Sequence, residues 1–123
     1  MSTAVKIVYA NEKIKKQCTN LKEATKLFGG NKDLASRLFS RIQYISCAEV
    51  INDIRVNKSF RFHNLKGNYQ GCFAVDVKSI KEKRRIILVP LDEHENEFNP
   101  CHIDKIAKNV KVVEIREISA HYE

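Results

Sequence analysis

A chain of 123 residues that is 43% apolar has room for one domain with a modest core, and a net charge of +7 marks it as basic. Its longest apolar run, Ile86 to Leu91 with Pro90 inside it, is far too short to span a bilayer, so no membrane partner is expected. Met1-Ser2-Thr3-Ala4 leads into Val5-Lys6-Ile7-Val8-Tyr9 without a charged-then-apolar leader, and a cytoplasmic location is expected.

In chain order, Val5, Ile7 and Tyr9 predict a short first strand. Asn11 can cap a helix in which Ile14, Cys18 and Leu21 recur on one side, with Lys13, Lys15 and Lys16 on the other. Leu27 and Phe28 continue that apolar side to Gly29-Gly30, which ends it. Asn31 caps a second helix with Asp33 in its first turn. Leu34, Leu38, Ile42 and Ile45 form its stripe, while Arg37, Ser40, Arg41 and Gln43 face outward or to the flanks. Ser46-Cys47-Ala48-Glu49 has capping-box spacing and is expected to open a short helical turn through Val50, Ile51 and Ile54.

Three sequential strands follow, over 60–65, 71–78 and 84–91, joined by short polar turns. In the second, Phe73, Val75 and Val77 share one face and Cys72, Ala74 and Asp76 the other. The third is nearly all apolar, as a central strand covered on both faces is. Residues 92–102 are acidic and read as a surface insertion; 103–108 allow a helical turn or two, and Lys111 to Ile118 return to strand. The expected class is α+β, with N-terminal helices packed on an antiparallel sheet, in one domain over 1–123. Cys18, Cys47, Cys72 and Cys101 are scattered without a CxxC pair, and Cys101-His102 alone is a weak zinc half-site, so neither a metal nor another cofactor is expected.

The stretch Arg61 to Gly71 stands out. As a strand, 60–65 would place Arg61 and His63 opposite Phe60 and Phe62, and Gly67 and Gly71 would bracket a tight reversal. It lies in a window with nine basic residues (Arg55, Lys58, Arg61, Lys66, Lys78, Lys81, Lys83, Arg84, Arg85) against Asp76 and Glu82, so this window holds the whole net charge of the chain. Such a footprint suits a polyanion. Arg and Lys neutralise phosphate, His moves a proton near neutral pH, and Tyr69 can stack on a base. A solvated hairpin has the same composition, and the stretch alone does not separate the two.

Arg61-x-His63-x-Leu65-Lys66-Gly67, then Gly71-Cys72-Phe73-Ala74-Val75-Asp76-Val77 and Arg84-Arg85-Ile86-Ile87-Leu88, resembles the core of HigB-type toxins in the RelE/ParE superfamily of toxin–antitoxin modules. The ending His121-Tyr122 is similar to that family's Tyr/His-bearing tail. The acidic insertion, the paired arginines and the order His-Tyr-Glu depart from the family pattern. The resemblance implies a RelE/ParE toxin-like fold and cleavage of messenger RNA on the ribosome. It also implies neutralisation by a protein antitoxin, here a helix-turn-helix repressor. Cleavage of that kind needs a base for the 2′-hydroxyl, an acid for the leaving 5′-oxygen and cations for the charged phosphorane. His63 and His121 are the proton-transfer candidates, with Tyr122 as an acid or orienting group. Lys66 and Arg85 are the phosphate candidates, helped by Arg61 and Arg84, and Tyr69 and Lys83 complete the expected RNA contacts. A gyrase-binding toxin of the ParE kind, or a silent relative that binds only RNA or its antitoxin, are the alternatives.

Overall fold

The computed structural model describes residues 4–119. Strand β1 (Lys6–Tyr9) comes first, and the Asn11 side chain then accepts the Ile14 N–H at 2.9 Å to start α1 (Glu12–Thr19). The helix predicted to run on to Phe28 is two helices. Asn20 leaves the helical region, at φ −123° and ψ 117°, and its side chain accepts the Glu23 N–H to cap α2 (Leu21–Leu27). Asparagine bonds a neighbouring backbone N–H better as a cap than it serves a helix interior, which is why the chain breaks there. Gly29 and Gly30, at φ +64° and +93°, end α2, and Asn31 caps α3 (Lys32–Cys47) through the Leu34 N–H. The expected capping box at Ser46 does not form. Helix α3 runs on through Cys47 and the Ser46 hydroxyl donates to the Gln43 carbonyl. Helix α4 (Ile51–Arg55) is capped instead by the Asp53 carboxylate, which accepts the N–H groups of Glu49 and Val50.

Among the described residues the remaining elements are β2 (His63–Asn64), β3 (Phe73–Asp76), β4 (Arg85–Leu91), α5 (Ile103–Ile106) and β5 (Val112–Ser119). They form one sheet in the order β1-β5-β4-β3-β2. The pairs β2–β3, β3–β4 and β4–β5 are antiparallel as expected, and β1 adds a parallel pair with β5 at one edge. The strand expected over 60–65 contracts to two residues, because Lys58–Phe60 is a 3₁₀ turn and Arg61 has a left-handed backbone at φ +49°. The facial pattern survives that contraction, since Phe60 and Phe62 pack with the helix-side core. His63 pairs with Ala74, which points to the other face.

Helices cover one face. Leu34, Leu38, Ile45, Ile51, Ile54 and Phe60 pack there against Phe73, Val75, Ile86, Leu88, Val113 and Ile115. The opposite face carries a smaller cluster of Leu65, Cys72, Ala74, Ile87, Val89, Leu91 and Val112. Every residue of β4 is buried, so this strand is central and, Arg85 apart, apolar on both sides, as its composition predicts. Burying each of its large aliphatic side chains contributes about 1.5–3 kcal/mol. The 92–102 insertion folds back on the sheet: Glu95 pairs with Lys6 of β1 at 2.6 Å, and Glu97 with Arg116 of β5 at 3.4 Å. Among the described residues no helix is long and apolar enough to cross a membrane.

Candidate functional site

Of the polar side chains that the sequence singled out, the sheet face away from the helices carries Arg61, His63, Tyr69 and Arg85. Antiparallel register sets them in rows. In one row, His63 of β2 pairs with Ala74 of β3, Ala74 with Ile87 of β4, and Ile87 with Glu117 of β5. Two residues along β3, and so on the same face, Asp76 pairs with Arg85, and Arg85 with Ser119. Adjacent strands lie about 4.8 Å apart, so short side chains on neighbouring strands meet directly.

Asp76 is the centre of this end of the face. It is 2% exposed, and its two oxygens face one guanidinium each: Oδ2 accepts from Arg61 Nε at 3.1 Å, while Oδ1 lies 3.0 Å from Arg85 Nε in an ion pair without hydrogen-bond alignment. A carboxylate withdrawn from water is tolerated when it is paired in this way. Arg85 is equally buried, at 2%, and its terminal nitrogens donate to the carbonyls of Ser79, Ile80, Glu82 and Arg84. The expectation that Arg85 meets a phosphate is therefore corrected. A guanidinium surrounded by a carboxylate and four carbonyls is a structural anchor, and what it holds is the lysine-bearing loop between β3 and β4.

Arg61 differs. Its side chain is 34% exposed, and among the described residues only its Nε has a partner. The left-handed backbone at Arg61 also turns its carbonyl toward His63, whose Nδ1 lies 2.7 Å from that oxygen. A carbonyl can only accept, so Nδ1 carries the proton and, in the neutral ring, Nε2 presents its lone pair. Nε2 is buried and has no hydrogen-bond partner among the described residues. A histidine in that tautomer has the form a general base requires, and to act as one it must be uncovered when substrate binds.

Lys66 is exposed and lines a groove of about 420 Å³ beside the β2 edge, with Asn64, Gln70, Cys72, Phe73 and Cys101. Gly67 and Gly71, at φ +65° and +89°, make the expected reversal around a 3₁₀ turn. Tyr69 is not a free stacking platform. Its ring packs on the smaller core cluster and its hydroxyl donates to Glu117 at 2.8 Å. Lys83 is exposed, whereas Arg84 is half-buried, with Nη1 3.3 Å from Glu82 and its guanidinium 6.0 Å from the Phe28 ring. His121 and Tyr122 lie outside the described residues. The last described residue, Ser119, pairs with Arg85.

Arg61 and His63 thus share one end of the face with Asp76 and Arg85, Lys66 stands on the adjoining edge, and Lys83 and Arg84 belong to the loop beyond. Asp76 and Glu117 are the polar residues here to which reading the sequence gave no role. For Asp76 the signal was an acid within Phe73-Ala-Val-Asp-Val77, on the face shared with Cys72 and Ala74, where burial demands a cationic partner. Glu117 gives no such signal in an alternating strand. Three of the four thiols are withdrawn from chemistry: burial pushes Cys18 up to about 12 and raises Cys72 and Cys101, which keeps them protonated and weakly nucleophilic.

No family model matches the chain, and no curated protein matches it in sequence. Among solved structures, the chain is similar to YafQ from E. coli strain BL21(DE3), at 10% identity over 95% of this chain and 93% of that one, with a TM-score of 0.48. A score below 0.5 leaves the two chain paths loosely alike, and no residue role passes from one to the other on that basis.

Proposed function

We propose that the 123 residues form one toxin domain of a type II toxin–antitoxin module, similar to the HigB branch of the RelE/ParE superfamily. In this reading it is a ribosome-associated endoribonuclease of messenger RNA, acting in the cytoplasm and held in check by a helix-turn-helix antitoxin. The observation that carries the reading is His63, whose Nδ1 is committed to the Arg61 carbonyl, beside an Arg61 side chain with its terminal nitrogens unengaged among the described residues. The basic window and the motif resemblance over residues 61–89 support it.

The mechanism is metal-independent acid–base cleavage. His63 Nε2 takes the proton of the 2′-hydroxyl, that oxygen attacks the adjacent phosphorus, and the bond to the 5′-oxygen breaks. The 5′-oxygen takes a proton from His121 or Tyr122, and a 2′,3′-cyclic phosphate remains. Arg61 and Lys66 stabilise the charge on the phosphorane, Lys83 and Arg84 hold flanking backbone, and Arg85 acts from beneath by fixing the loop.

The test is expression without the antitoxin, with protein and DNA synthesis pulse-labelled separately and messenger RNA ends mapped. Translation arrest with new cyclic-phosphate ends is expected, and His63→Ala should lower cleavage by about 10²–10⁴-fold. An early, selective loss of DNA synthesis with messenger RNA intact would overturn the nuclease reading in favour of gyrase binding.

A further inference from the structure

We infer that Asp76 is a positioning residue for anion recognition, and that through one buried carboxylate it presets both Arg61 and the basic loop for a nucleic-acid phosphate. The inference rests on the RNA reading above but concerns a residue which that reading leaves without a role.

The geometry is specific. Asp76 engages Arg61 through Nε only, at 3.1 Å, so the two terminal nitrogens are unengaged among the described residues on a side chain that is one-third exposed. A guanidinium held at Nε has lost most of its rotational freedom, and its terminal pair keeps the forked geometry that matches two phosphate oxygens. The other Asp76 oxygen takes Arg85, which in turn gathers the carbonyls of Ser79, Ile80, Glu82 and Arg84. Lys81 and Lys83 lie exposed along that segment, and Lys78, also exposed, is paired with Asp33 at 3.2 Å. Arg41 closes the same end from the helix side by donating to the backbone carbonyls of Asp76 and Val77. One carboxylate therefore orients a cation on the open face and fixes the strand end from which a lysine-rich loop departs. An arginine that enters binding already oriented gives up less entropy than a free one.

The discriminating property is coupling. If Asp76 works through Arg61, Asp76→Asn and Arg61→Ala remove the same oriented contact. Each should weaken binding of a random single-stranded RNA roughly tenfold and lower the salt slope by about one, and the double variant should fall little further. Strictly additive losses, or an Asp76→Asn protein with the wild-type salt slope, would overturn the inference. Because Asp76→Asn also disturbs a buried pair, a second measurement uses the unaltered protein. Arginine side-chain NMR during titration with inorganic pyrophosphate should move the Arg61 terminal nitrogens while its Nε–H stays protected from exchange with water. An Arg61 Nε–H in free exchange, or unmoved terminal nitrogens, would equally sink it. Pyrophosphate engaging Arg61 in a protein that fails to bind RNA would preserve the positioning role and remove the RNA reading instead.

Discussion

Side chains on the two sides of the sheet are held by different forces, and single substitutions should expose the difference. Arg85 and Asp76 are both almost fully buried, so Arg85→Ala leaves a carboxylate with half its compensation and frees four loop carbonyls. A loss of about 3–5 kcal/mol is expected, measured by denaturant unfolding. Cys18, buried on the helix side, acts through its proton. Burial pushes its thiol from 9.0 up to about 12, so the unfolded chain ionises first. The stability conferred by the neutral thiol is intact below pH 9 and is lost as pH rises toward 12, at about 1.4 kcal/mol per pH unit for this one group. Cys18→Ala should flatten the pH dependence of the melting temperature between pH 9 and 11. A variant that keeps the wild-type slope would assign alkaline lability to other groups.

At the scale of elements, caps decide where helices divide. The stripe Ile14, Cys18, Leu21 is continuous enough to predict one helix, yet Asn20 ends α1 and caps α2 in a single residue. Asn20→Ala should cost about 1 kcal/mol, seen in thermal melts, while favouring helical continuity across the break. Strand β2 shows a related economy. Two residues suffice, because Phe60 and Phe62 anchor the preceding segment in the core, with the Phe62 and Phe73 rings stacked at 4.9 Å. Phe62→Ala should therefore loosen the segment that carries Arg61 and His63. Faster backbone amide exchange at 61–65 than in β4 would be the readout.

For the molecule as a whole, charge is segregated. The basic window supplies the β2 edge and the β3–β4 loop, while Glu97, Glu114 and Glu117 sit with β5 and the insertion, two of them paired with Arg116. Association with RNA or ribosomes should thus fall steeply with salt, because each cation–phosphate contact releases condensed counterions. Affinity measured from 50 to 200 mM salt is the check, and an affinity unchanged over that range would reject a phosphate-binding surface. Charge reversal at Lys83, far from the buried pair, should lower that slope by about one without altering the melting temperature.

What the sequence determined by itself is what local chemistry determines. Alternation marked the strands and their faces, Asn11, Asn31 and the paired glycines marked helix ends, and an unbroken apolar run marked β4 as central. The charge distribution also confined the net charge to one window, and the motif resemblance made Arg61, His63 and Lys66 candidates there. The contraction of the 60–65 strand escaped it, because the left-handed turn at Arg61 accompanies a tertiary contact, Phe60 buried against Tyr44 and Arg41 of α3. The fate of Arg85 escaped it too. Whether an arginine in a strand meets solvent or a carboxylate depends on which acid the neighbouring strand sets opposite, and that is a matter of register. Only the tertiary structure pairs Asp76 with Arg85 and Arg61, and so decides which of the two arginines remains available to an anion.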